Sequence, residues 1–127
     1  MSKLFENITT KLYHLSGVGS VKIVDAESRL GLHFSDDFRN YLMEYGVVSF
    51  GSHELMGIGG DAYLDVVEET LRERKDNSRF PKDCYIVENI GIDGIMILQN
   101  EEGSVFELSD AGCKLVAKSL KEYIEMI

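Results

Sequence analysis

The chain has 127 residues, 44% hydrophobic and 28% charged, enough for one globular domain to bury a core without a metal or disulfide. Its 22 acids and 13 bases give a net charge of −9, which argues against nucleic acid and anionic membranes as direct partners and suits a basic protein. No apolar run approaches the ~20 residues of a membrane span, and the opening MSKLFENITTKLYHL is amphipathic rather than basic and then apolar, so a cytoplasmic location is expected.

Leu4, Phe5, Ile8, Leu12 and Leu15 recur at three- and four-residue steps and predict a first helix over residues 3–16. Gly17-Val18-Gly19 breaks it, and a short second helix runs from Asp25 to Leu30, before Gly31. The third helix is better marked. Ser35 stands as N-cap, Asp36 and Asp37 lie at the positive end of the dipole, and Phe38, Leu42 and Tyr45 form an apolar line that stops at Gly46. Val47–Phe50 and Glu54–Ile58, parted by Gly51-Ser52, predict a hairpin over residues 47–58. Asp61 is placed to cap a fourth helix from Leu64 to Lys75, after which Asp76-Asn77-Ser78 and Pro81 lead into the next strand.

Residues 84–108 form the predicted spine. Cys84–Glu88, Ile95–Gln99 and Val105–Leu108 read as three strands of a meander. Asp93-Gly94 favours the positive φ of a tight hairpin, and Asn100-Glu101-Glu102-Gly103 supplies the second turn. Cys113–Ala117 adds a final strand or bridging segment. Ser119 and Glu122 form a capping box for a last helix that buries Leu120, Tyr123, Ile124 and Ile127. The expected fold is α+β: one domain over residues 1–127, with a central, mainly antiparallel sheet built from the meander 84–108 and the hairpin 47–58, flanked by helices.

No constellation points to catalysis, a metal or a cofactor. Cys84 and Cys113 lack ligand spacing and read as buried free thiols, and His14, His33 and His53 lie about twenty residues apart. Gly57-Ile58-Gly59-Gly60-Asp61-Ala62 fits a degenerate GxGxxA, but a short strand precedes it and Asp61 would face the pyrophosphate, so a structural turn is expected. Ser52-His53-Glu54 is contiguous, and neighbours on a strand point to opposite faces. The charge pattern is more informative. From Asp83 to Cys113 there are seven acids and no Lys or Arg. A partner-binding face is therefore expected at Glu88, Asp93, Glu101, Glu102 and Glu107, with Glu54 and Tyr85 as neighbours. Tyr41, Tyr45 and Tyr63 are further candidates for interface anchors, although Tyr41 and Tyr45 at helical spacing read as core packing first.

The order of motifs resembles the SUKH superfamily (Smi/Knr-type) domain. The resemblance starts at Leu30-Gly31, Phe34-Ser35-Asp36-Asp37-Phe38, Tyr41-Leu42 and Tyr45-Gly46. It continues through Glu54-Leu55-Met56-Gly57, Val66-Val67, Gly91-Ile92-Asp93-Gly94, Gln99, Gly103-Ser104-Val105-Phe106 and Ser119-Leu120, to Tyr123-Ile124. It covers about residues 27–127. Phe34-Ser35 replaces the proline common before the third helix, and the chain has no tryptophan. The resemblance implies an α+β fold and a cytoplasmic immunity protein, not an enzyme, that binds a cognate polymorphic toxin, often a nuclease. A regulatory or scaffold module is the alternative. It implies no catalytic residues. A monomer or a weak edge-strand homodimer is expected.

Overall fold

The structure is a computed structural model that describes residues 4–127. Among these residues the chain forms one seven-stranded sheet and four α-helices. The strands are β1 (Leu12–His14), β2 (Val48–Phe50), β3 (His53–Leu55), β4 (Cys84–Asn89), β5 (Met96–Asn100), β6 (Val105–Ser109) and β7 (Gly112–Ala117). They lie side by side in chain order, each antiparallel to the next. The helices are α1 (Ser20–Leu30), α2 (Asp36–Glu44), α3 (Val66–Asp76) and α4 (Leu120–Met126). The α+β fold read from the sequence is the fold observed, with the meander and the 47–58 hairpin as the β2–β6 part of the sheet.

Two turns show why the meander forms where it does. Asp93 and Gly94 both adopt positive φ (53° and 70°), and the Ile95 amide donates to the Ile92 carbonyl at 3.0 Å, so this two-residue turn has the twist that antiparallel strands need. At the other end the Gly103 amide donates to the Asn100 carbonyl at 3.1 Å and closes the β5–β6 loop.

The core is aromatic at its centre. Phe34 and Phe38 both pack on Tyr85 of β4, with ring centroids 4.9 and 5.0 Å away, and Phe5 packs edge-on against Tyr45 and Phe50. A polar hub sits within it. The Tyr85 hydroxyl donates to Gln99 Oε1 (2.8 Å) and accepts from the Ser35 amide (3.0 Å). Asp37 accepts from Ser35 Oγ, from Gln99 Nε2 at 3.1 Å and from the Leu120 amide at 2.7 Å. Asp37 thus joins the start of α2, strand β5 and the start of α4. Burial pushes the Tyr85 phenol well above its ordinary pKa, so it stays a neutral donor.

Four expectations are corrected. The helix expected over 3–16 is absent from its described part; residue 3 lies outside the described residues. Leu4 and Phe5 are buried in a turn, whereas Leu15 is 43% exposed, so the apolar stripe does not share one face, and Leu12–His14 pairs with β2 instead. Helix α1 begins at Ser20 rather than Asp25. Its N-cap, Gly19, makes no side-chain hydrogen bond, and Val21 and Val24 point outward, which removes both start signals. Helix α3 is capped by Asp65, which accepts from the Val67 and Glu68 amides at 2.9 and 3.0 Å; Asp61 precedes a single 3₁₀ turn, Ala62–Leu64. Cys84 is buried as expected, but Cys113 is exposed.

The first glycine of the GxGxxA pattern has a packing reason. A Cβ on Gly57 would lie 1.7 Å from the Gly46 carbonyl oxygen, so only glycine lets the chain after β3 pass the end of α2. The Gly57 amide donates to the Leu64 carbonyl, and the Gly57 carbonyl accepts from Val66. The motif is a junction between backbones.

A candidate protein-binding face

The seven residues expected to bind a partner fall into two groups. Tyr85 is fully buried, and Glu88, at 3% exposure, is also inside. Glu88 accepts a 2.5 Å hydrogen bond from the Tyr123 hydroxyl of α4, and its other oxygen lies 2.8 Å from His53 Nδ1 of β3. A buried carboxylate this well satisfied holds the sheet to the last helix, and in this conformation it cannot touch a partner. Burial, then the bond to Glu88, pushes the Tyr123 phenol far up.

The other five are at least partly accessible but not contiguous. Asp93 stands exposed in the β4–β5 turn. Glu101 and Glu102 stand in the β5–β6 turn, at the opposite end of β5, roughly 17 Å away at ~3.4 Å per residue. Glu101 Oε1 accepts from the His33 amide at 2.7 Å. Glu107 is half-buried on β6, with Lys114 of β7 at 3.6 Å. Glu54 is exposed on β3, and its carboxylate accepts from the Tyr63 hydroxyl at 3.0 Å. That bond, with the Glu54 charge, raises the Tyr63 phenol.

Glu54 lines several neighbouring hollows. Register places Tyr13, Ser49 and Glu54 directly opposite one another across β1, β2 and β3, so they share one face. The alternate residues Val48, Phe50 and Leu55 are buried on the other face. Two flanking aromatics remain in solvent, Tyr13 at 59% and Tyr63 at 54% exposure. Tyr13, Leu15, Ser49, Glu54 and Leu64 line a hollow of about 140 Å³. A second hollow, of about 170 Å³, lies against Glu54, Tyr63, Leu64 and Asn89. Tyr63 was among the tyrosines weighed as anchors. Tyr13 and Ser49 were not, because the helical spacing of the apolar residues around Tyr13 overrode the sequence's one signal there: the β-branched pair Thr9-Thr10, leading into a strand.

Among the described residues no group of three or more His, Cys, Asp and Glu is placed to hold a metal ion, and no helix is long and apolar enough to cross a membrane. What the fold defines is an α+β module with a face on which Glu54 lies near two exposed tyrosines, Tyr13 and Tyr63. The family profile SUKH_5, described as SMI1-KNR4 cell-wall, matches residues 1–127, and the chain belongs to this SUKH (SMI1-KNR4) family. A search of curated proteins finds no match.

Proposed function

We propose that this SUKH-family chain is a cytoplasmic, non-enzymatic immunity protein that binds a cognate toxin domain in the producing cell and covers its working surface. The toxin surface is basic and of nuclease type, because grooves that hold phosphates carry clustered Lys and Arg. The observation that carries this reading is the state of the outer acids. Glu54, Asp93, Glu101 and Glu102 are exposed, and among the described residues none of them is in an ion pair. Carboxylates that no local base neutralises send their field outward. With a net charge of −9 they steer a basic partner and reject acidic ones. The face around Glu54 is where contact is made, and the turn acids act at longer range.

The test is to pull the tagged protein from its own cells in a salt gradient, and then to assay the recovered toxin with and without it. A stoichiometric basic toxin domain, released only at high salt and silenced by one equivalent of this protein, supports the reading. Undiminished toxin activity in the presence of excess protein overturns it.

A further inference from the structure

We infer that the row Tyr13–Ser49–Glu54 is a receptor for one arginine side chain of a protein partner. This rests on the binding-protein reading above and names what the Glu54 face takes. The argument begins with size. Adjacent strands lie ~4.8 Å apart, so Tyr13 and Glu54, two strands apart, frame a gap roughly 10 Å wide, and the residue between them is a serine. A larger side chain at position 49 would fill that gap. With serine there the row lines a hollow of about 140 Å³, on the scale of a single side chain, and a wider depression of about 370 Å³ beside it.

Chemistry then selects the occupant. One wall is the Tyr13 ring, the other is the Glu54 carboxylate, and Ser49 offers a hydroxyl between them. A planar guanidinium stacks on an aromatic face while its fork bonds a carboxylate, which a compact ammonium cannot do together. The ring already attracts a cation within the molecule: Lys11 Nζ lies 5.1 Å from its centroid. Leu15 and Leu64 supply an apolar rim for the methylene stem, and Tyr63 holds Glu54 from the far side through its hydroxyl. The hollow opens on a wider depression lined by Gly51, Ser52 and His53, which leaves room for the backbone that carries the arginine.

The experiment is an NMR titration of the ¹⁵N-labelled protein with N-acetyl-arginine methylamide, set against the citrulline analogue, which keeps the shape and loses the charge. The expected result is saturable shifts at Tyr13, Ser49, Glu54 and Tyr63, with binding about tenfold weaker for citrulline and for Glu54→Gln. Tyr13→Ala should weaken the arginine probe and leave the fold intact, because the ring is exposed. Equal shifts with citrulline, or shifts centred on Asp93, Glu101 and Glu102 and unchanged in Glu54→Gln, overturn the inference. A toxin that is bound and silenced equally by wild type and Glu54→Gln also overturns it while leaving the immunity reading in place. Arginine binding at Tyr13 and Glu54 without any toxin being silenced supports the receptor and removes that reading.

Discussion

Two sets of carboxylates divide this molecule. The inner set, the buried Glu88 and Glu27 and the half-buried Asp37, is bonded by the protein's own donors. Asp37 takes the Leu120 amide, Ser35 and Gln99; Glu88 takes Tyr123 and His53; Glu27 takes the Phe34 amide at 2.8 Å and Arg39 at 2.9 Å. The outer set, Glu54, Asp93, Glu101 and Glu102, keeps most of its valence open to water. The same chemical group therefore does two jobs, decided by what surrounds it. Inside, a charge is held because the protein's own donors stand in for water, and it joins elements far apart in sequence. Outside, it contributes little to stability and is left available for a partner.

The largest expected effect comes from breaking the inner set. Asp37→Ala removes three accepted hydrogen bonds at once, including the one that satisfies the first amide of α4, and should cost about 3 kcal/mol. Urea unfolding should show a lower midpoint at unchanged slope. If the loss were no greater than that of Glu54→Gln, the division between inner and outer carboxylates would fail. His53→Ala should follow at about 2 kcal/mol, since it leaves one oxygen of the buried Glu88 without its partner. The fluorescence of Tyr123, bonded to the same carboxylate, is expected to change in the folded variant.

The third effect depends on pH. Burial alone would raise the Glu27 carboxyl, but the Arg39 hydrogen bond, the Phe34 amide and the charges of Arg39 and His33 outweigh it and hold the pKa below its ordinary value of 4.5. A depressed folded pKa means that unfolding takes up protons. The stabilisation is thus complete above about pH 4.5 and is lost as pH falls through the folded pKa. Against Glu27→Gln, the wild-type protein should be more stable at pH 7, with an advantage that holds down to about pH 4.5 and shrinks below it. A difference independent of pH would show that the Arg39–Glu27 pair does not hold this charge in the folded state.

The outer turns were legible in the sequence, and the inner bonds were not. Asp93-Gly94 and Gly103 announce turns, and turn acids are solvated by their position alone, so the exposure of Asp93, Glu101 and Glu102 follows from the local sequence. Ser35 and Ser119 announce caps because the cap bond is local: Ser35 accepts from Phe38, and Ser119 from Glu122. Glu88 gave no comparable sign. It ends a strand in an acid-rich stretch and looks like Glu107, and only the approach of His53 and Tyr123, each 35 residues away, makes it internal. Tyr85 was misjudged for the same reason, its hydroxyl being met by Ser35 from 50 residues away. At the N-terminal end, the local signal itself misled. Helical spacing was present, but the partner of Tyr13 is Ser49, and no pattern within residues 3–16 contains that pairing.

The smallest effect on stability sharpens the comparison from the other side. Glu101→Lys with Glu102→Lys should change unfolding free energy by about 1 kcal/mol at most, because both side chains are exposed, among the described residues neither forms an ion pair, and only the bond from the His33 amide to Glu101 is lost. Its consequence belongs to encounter. The pair carries two of the unpaired outer charges, and reversing both changes the net charge from −9 to −5, four units. Association with a basic partner should slow roughly tenfold at low salt and lose most of its salt dependence, while dissociation changes little. Stopped-flow binding at two ionic strengths separates these. Glu54→Gln should do the reverse, with a faster dissociation and a nearly unchanged association rate, since it removes a contact and only one unit of charge. Finding the same kinetic signature for both variants would mean that the turns and the Tyr13–Ser49–Glu54 row meet the partner in one way, and that steering and contact are not divided between them.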